Sequence, residues 1–130
     1  MKKLLLLFVL ISTFGFSQTT IPTKSVSIVI ASTTATANLT SSAFGSEYFN
    51  FVSFQLVCTS LNAADGVIKL QDSNDGTNYN DISGATITVA SGTSSNMIRY
   101  TAYTGRYLKA VWTKGSNTAG TMVGTVVLKK

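Results

Sequence analysis

The stretch LQDSNDGTNYNDIS, residues 70–83, sets Asp72, Asp75 and Asp81 among Asn74, Asn78 and Asn80, with Gly76 between them. Oxygen-bearing side chains at this density suit three kinds of chemistry. They can ligate a hard cation, supply paired carboxylates for glycoside hydrolysis, or bond their own backbone and reverse the chain. Counted from Asp72, an EF-hand loop finds Asn74 at its third position. Gly76 then falls at the fifth, and Ser83 stands where the bidentate Glu belongs. Asp72, Asp75 and Asp81 stay open as ligands of a cation in a non-helical loop. The chain has no His, which excludes Ser-His-Asp and Cys-His catalysis and His-ligated zinc. A small glycan-active enzyme using Asp72, Asp75 or Asp81 is the least favoured reading, because so short a domain leaves little room for a deep cleft beside its core. Chain reversal fits the residues best. Asp75-Gly76 is a hairpin signal, since Gly takes positive φ at little steric cost and Asp tolerates it. Tyr79 and Ile82 are then expected to turn inward on the returning strand. No catalytic residue, metal or cofactor is expected.

A second group of residues suits binding. Arg99, Tyr100, Tyr103, Arg106 and Tyr107 crowd into NMIRYTAYTGRY, residues 96–107. Arg beside aromatic rings is a common interface composition, and an amphipathic ring can stack on a sugar. These five form the candidate ligand-binding rim. Trp112, Tyr48 and Tyr79 read as core or as caps on its ends.

The elements that must position these residues are strands. Short β-branched or aromatic runs alternate with Gly, Ser, Asn and Asp, and Pro occurs once. That is the pattern of an all-β sandwich. Strands are expected over 25–30, 34–39, 48–59, 67–71, 79–82, 85–90, 96–102, 107–113 and 122–128. About eight short strands with tight turns suit a two-sheet antiparallel, jelly-roll-like sandwich. Alternation puts Leu108, Ala110 and Trp112 on one face, and Ile68 with Leu70 on another. Along 49–58 the phase slips from Phe49 and Phe51 to Val52, Phe54, Leu56 and Cys58, which predicts a β-bulge near Phe51-Val52. The polar segment Thr33 to Leu39 reads as an edge strand able to pair with another chain.

The ends of the chain bear on location. Lys2 and Lys3 precede an apolar run from Leu4 to Phe16, and Gly15 and Ser17 place small residues before Gln18. This is the form of a secretory signal peptide, with cleavage expected after Ser17. A retained anchor helix through residues 4–16 is the alternative, although a span needs about 20 apolar residues. Residues 18–24 read as a linker and 25–130 as the β-sandwich domain. Beyond residue 17, eight basic side chains face five acidic ones, a net +3. The cations are scattered, so no nucleic-acid footprint is expected. Cys58 is the lone cysteine; it reads as a small buried hydrophobe, with an intermolecular bridge as the alternative. The leader resembles those of exported proteins from flavobacteria and their relatives.

Leu70-Gln71, the Ser73 to Asn78 turn, Tyr79, the strand from Arg106 to Trp112 and the Gly115 to Thr125 segment together resemble a recurrent β-sandwich domain. That domain is seen in phage virion proteins and bacterial exported proteins. The resemblance covers residues 66–130 and departs at Tyr79, where the family usually carries Trp. It implies a jelly-roll-like fold, comparable in outline to discoidin-type carbohydrate-binding modules, and a structural, decoration or attachment role. The function expected is that of an exported, non-catalytic structural or adhesive protein of a cell surface or virion. Protein partners or self-assembly are expected, with a carbohydrate-binding module and its surface glycan as the alternative.

Overall fold

The computed structural model describes residues 23–28, 35–46, 49–101 and 105–129. Nine strands are present among them: β1 (Thr23–Ile28), β2 (Leu39–Thr40), β3 (Phe44–Gly45), β4 (Phe51–Leu61), β5 (Val67–Ser73), β6 (Asn80–Thr88), β7 (Gly92–Tyr100), β8 (Tyr107–Thr113) and β9 (Thr121–Lys129). No helix occurs among the described residues.

The strands form two antiparallel sheets. One runs β1-β9-β4-β7; the other runs β2-β8-β5-β6, with β3 also pairing β8. Consecutive strands cross from sheet to sheet except at the β5–β6 hairpin and along the β2–β3 edge. This is jelly-roll connectivity. The two short pieces β2 and β3 share one edge position on β8. Ser41 spans the gap between them, its N–H donating to the Ala110 carbonyl and its hydroxyl accepting from the Ala110 N–H.

Alternation decides which residues meet between the sheets. Val52, Phe54, Leu56 and Cys58 of β4, Ile68 and Leu70 of β5, and Leu108, Ala110 and Trp112 of β8 are all buried there. Met122, Val126 and Leu128 of β9 complete the layer. Each large apolar side chain buried in full contributes about 1.5–3 kcal/mol, so this layer dominates the stability of the fold.

Two irregularities reset the alternation. Between Cys58 and Leu61 the β4–β7 register shifts, and Ser60 takes φ 56. The extra residue returns Leu61 to the core side, where it is buried. In β6 the register with β5 shifts opposite Leu70, Gly84 takes φ 77, and both Ile82 and Ala85 face inward. Residues 79–82 and 85–90, read as separate strands in the sequence, therefore belong largely to one kinked strand.

The bulge expected near Phe51-Val52 is absent. The β4–β9 register is unbroken from Phe51↔Lys129 to Thr59↔Thr121. Phe49 lies before β4, its N–H bonded to the Ser46 carbonyl, so the slip in sequence phase marks a strand boundary. The expected strand over 34–39 is also corrected: only Leu39 and Thr40 pair in β2. The edge position expected for that segment is real but two residues long. Strand β7 opens at Gly92, four residues earlier than its polar first half suggested, because an edge strand with a solvent face tolerates Ser and Thr. Strand β1 opens at Thr23, inside the expected linker. The leader lies outside the described residues.

Candidate functional site

The Asp/Asn-rich segment closes the β5–β6 hairpin at one end of the sandwich. Ser73 ends β5 and is buried, and its hydroxyl is the hub of the turn. The oxygen accepts from the Gly76 N–H at 2.9 Å and donates to Asp75 Oδ1 at 2.8 Å. Asp75 Oδ1 also accepts from the N–H groups of Thr77 and Asn78, each at 2.8 Å, while Oδ2 accepts from Asn78 Nδ2 at 2.7 Å. Gly76 takes φ 73, and a Cβ added there would just touch the Tyr107 ring. The Asn78 and Thr77 backbone donors, then the Asn78 amide and Ser73 hydroxyl, hold the Asp75 carboxyl far below the usual carboxylate range.

The other two carboxylates are also occupied, but elsewhere. Asp72 Oδ2 accepts from the Gly105 N–H at 2.9 Å and so pins the strand entering β8. Asp81 pairs with Lys69 Nζ at 2.7 Å and accepts from the Gln71 amide. Lys69, then Gln71, lowers its pKa. Among the described residues no three His, Cys, Asp or Glu side chains gather as a metal site. A general base needs a pKa raised toward neutrality and free lone pairs. Asp75 has neither, and Asp81 is shifted in the same direction. The arrangement shapes backbone.

Tyr79, at this end, and Trp112, toward the other, are packed rather than displayed. Tyr79 is half-buried under Lys109, whose Nζ lies 3.8 Å from the ring centroid. Its buried hydroxyl has no hydrogen-bond partner among the described residues. Trp112 is fully buried against Gly66, where an added side chain would run into the indole.

No protein-family model and no curated protein sequence matches the chain. Solved structures share its fold. A protein of Bacillus endospore appendages, which form disulfide-linked pili, matches at 15% identity with a TM-score of 0.56, over 89% of this chain and 93% of that one. YomS, derived from the SPBc2 prophage, matches at 12% identity and 0.53, over 84% and 96%. XepA, a PBSX exported protein, matches at 13% identity and 0.51, over 79% of this chain and 36% of that one. The resemblance drawn from the sequence therefore holds at the level of the β-sandwich.

The rim residues are divided by the fold. Arg99 and Tyr100 end β7 in one sheet, and Tyr107 opens β8 in the other. Arg99 is exposed, while its neighbour Tyr100 packs on the core from the opposite face of the strand. Arg106 is exposed and Tyr107 half-buried. Tyr103 and Tyr48 lie outside the described residues. Arg99 and Tyr100 thus stand at the end of β7, and Arg106 and Tyr107 at the start of β8.

Two features escaped the sequence reading. At the far end, Asn62, Asp65 and Asn117 lace loops together across the sandwich. Asp65 accepts from the Ser116 N–H, Asn62 from Thr118 and Ala119, and buried Asn117 from Ala63. The other feature is the outer face of the β1-β9-β4-β7 sheet, where Val57, Met97 and Val123 are 38%, 42% and 46% exposed. Cys58 sits on the inner face of the same sheet with no exposure at all. Burial pushes its thiol pKa up, against a smaller opposing bond to Ser94. An intermolecular bridge through Cys58 is ruled out unless the sheet opens.

Proposed function

We propose that this chain is an exported, non-catalytic structural protein of a cell surface or virion, assembling with copies of itself along β7. The observation that carries this is the state of the sheet edges. Strand β6 is kinked at Gly84 and carries the Asp81–Lys69 ion pair. Strands β2 and β3 are two residues each, and β1, the other edge of the β7 sheet, is six residues long and carries Lys24. Strand β7 has none of these guards. It is nine residues long, has no Pro or Lys, and holds an unbroken register with β4 from Tyr100 to Ser94. Among the described residues no strand lies on its other side. Long regular edges invite pairing with another chain, and proteins that stay apart blunt them.

The strand is also compatible with its own copy. An antiparallel β7–β7 pair centred on Asn96 sets Thr93 opposite Arg99 and Ser95 opposite Met97, so like charges never meet. It would carry the weakly charged outer face, with Val57, Met97 and Val123, across into the second copy. Fold alone does not fix function, but the same sandwich in a pilus protein, a prophage-derived protein and an exported protein supports a structural role outside the cell. So does the resemblance of the Ser73 to Asn78 turn to virion and exported-protein domains. Disulfide linkage is not the means here, since Cys58 is buried.

Light scattering of the chain without residues 1–17, across a concentration series, tests this. Dimers or larger species are expected, and Thr93→Lys, which sets like charge against Arg99, should return the protein to monomer without unfolding it. A chain monomeric at every concentration overturns the reading. Retention on a glycan array, lost in Tyr107→Ala, would favour the carbohydrate-binding alternative.

A further inference from the structure

The chain contains two Asp-Gly bonds, Asp65-Gly66 and Asp75-Gly76. Such bonds are the ones most prone to backbone isomerisation, because Gly puts no side chain in the way of its own nitrogen. The geometry at Ser73, Asp75 and Gly76 points to a latent modification site: Asp75-Gly76 is an isoaspartate-forming bond that the folded turn keeps inert and any opening of the turn sets loose.

The chemistry is intramolecular. The Gly76 nitrogen attacks Asp75 Cγ, forming an N–C bond and losing its proton. One carboxyl oxygen departs as water, which leaves a five-membered succinimide. Water then adds back to either ring carbonyl. Addition at Cγ restores Asp; addition at the main-chain carbonyl gives a β-linked isoaspartate with one more methylene in the backbone. One water leaves and one enters, so mass is unchanged and no other reactant is needed.

The turn opposes every part of this. The attacking nitrogen is committed, its N–H donating to Ser73 Oγ at 2.9 Å. The target carboxylate is fixed by four donors, two of them backbone N–H groups of Thr77 and Asn78. Losing an oxygen as water requires a protonated carboxyl, and this carboxyl is held strongly in its ionised form. Ser73 is the keystone, since it touches the nucleophile and the electrophile at once. Once isoaspartate forms, the longer backbone no longer fits the Thr77 and Asn78 donors, so a transient opening becomes permanent damage to the hairpin.

The test compares the intact chain, folded in warm neutral buffer, with the same chain unfolded in urea over the same weeks. Isoaspartate at residues 65 and 75 is read separately by electron-transfer fragmentation, which distinguishes α- from β-linked Asp. Isoaspartate at residue 75 should accumulate at least about tenfold more slowly in the folded chain, given the strength of hydrogen bonds to a charged group. Ser73→Ala, with its folded fraction followed by circular dichroism, should raise the rate at residue 75 and leave residue 65 unchanged. Equal rates at residue 75 in folded and urea-unfolded wild-type chain overturn the proposal, and that comparison decides even if Ser73→Ala does not fold. A folded Ser73→Ala chain with the wild-type rate at residue 75 overturns the role given to Ser73. Neither outcome depends on whether β7 pairs copies.

Discussion

The Ser73 to Asn78 turn and the loops at the far end of the sandwich use the same vocabulary of Asp, Asn, Ser and Gly in opposite ways. At the β5–β6 hairpin, Ser73 and Asp75 bond groups two or three residues away. At the far end, Asn62, Asp65 and Asn117 bond groups more than fifty residues away in sequence. A local turn forms as soon as its own residues are in place. A cross-loop lacing forms only when both sheets have docked, because it ties the loop after β4 to the loop before β9. The first kind shapes a hairpin. The second closes a domain.

This difference can be pushed hardest at Gly120. It takes φ 99, and an added Cβ would meet the backbone of Leu61. The Gly120 carbonyl also accepts from the Ala35 N–H at 2.6 Å. Gly120→Ala should cost about 2–4 kcal/mol from backbone strain and overpacking together, read as a lower urea midpoint. Gly76→Ala, though also at positive φ, meets only ordinary contact with Tyr107 and should cost less. If the two substitutions cost the same, the far end is no more constrained than the hairpin.

The asparagines sharpen the contrast with a smaller effect. Asn117 is fully buried, accepts from the Ala63 N–H and donates to the Lys114 carbonyl. Asn117→Ala leaves the Ala63 N–H without its acceptor, for about 1–3 kcal/mol. Asn78 is exposed, and its amide is one of several donors to Asp75. Asn78→Ala keeps the backbone donors and should cost about 0.5 kcal/mol or less. Thermal unfolding of the two variants checks the order, and a larger loss in Asn78→Ala would reverse the assignment of local and domain-closing roles.

The same distinction explains what could be read from the sequence. Strand alternation made the inner faces of β4, β5 and β8 legible, because burial of Phe54, Ile68 and Trp112 follows period two. The Ser73 to Asn78 turn was legible because its partners are its neighbours. Asp65 to Ser116 was not, although both lie in turn-like segments, because no local signal names a partner fifty residues off. The phase slip near Phe51-Val52 marks the start of β4, and the bulge that β4 does carry, between Cys58 and Leu61, was missed for a related reason. Its cause is the need to return Leu61 to the core after Cys58, which only the pairing with β7 reveals. That Arg99 and Tyr107, near in sequence, belong to different sheets was likewise not legible, because pairing partners decide the sheet.

The smallest effect expected is electrostatic. Asp75 is held below its ordinary value by the N–H groups of Asn78 and Thr77, and Asp65 by the Ser116 hydroxyl and N–H. A carboxylate with a lowered folded pKa contributes stability that is fully present above the unfolded value, about 3.9. That contribution is lost as pH falls from there through the folded value. Asp75→Asn keeps an acceptor for the backbone donors but removes the charge. The variant should therefore trail the wild type slightly and by a constant margin at neutral pH. As pH drops below about 4 the margin should close, since the wild-type carboxyl is then losing the same charge. Both exposed carboxylates are screened, so added salt should shrink the margin as well. Urea midpoints of the two proteins across this range settle it. A margin that persists unchanged into strong acid would mean that Asp75 holds the hairpin by its shape alone.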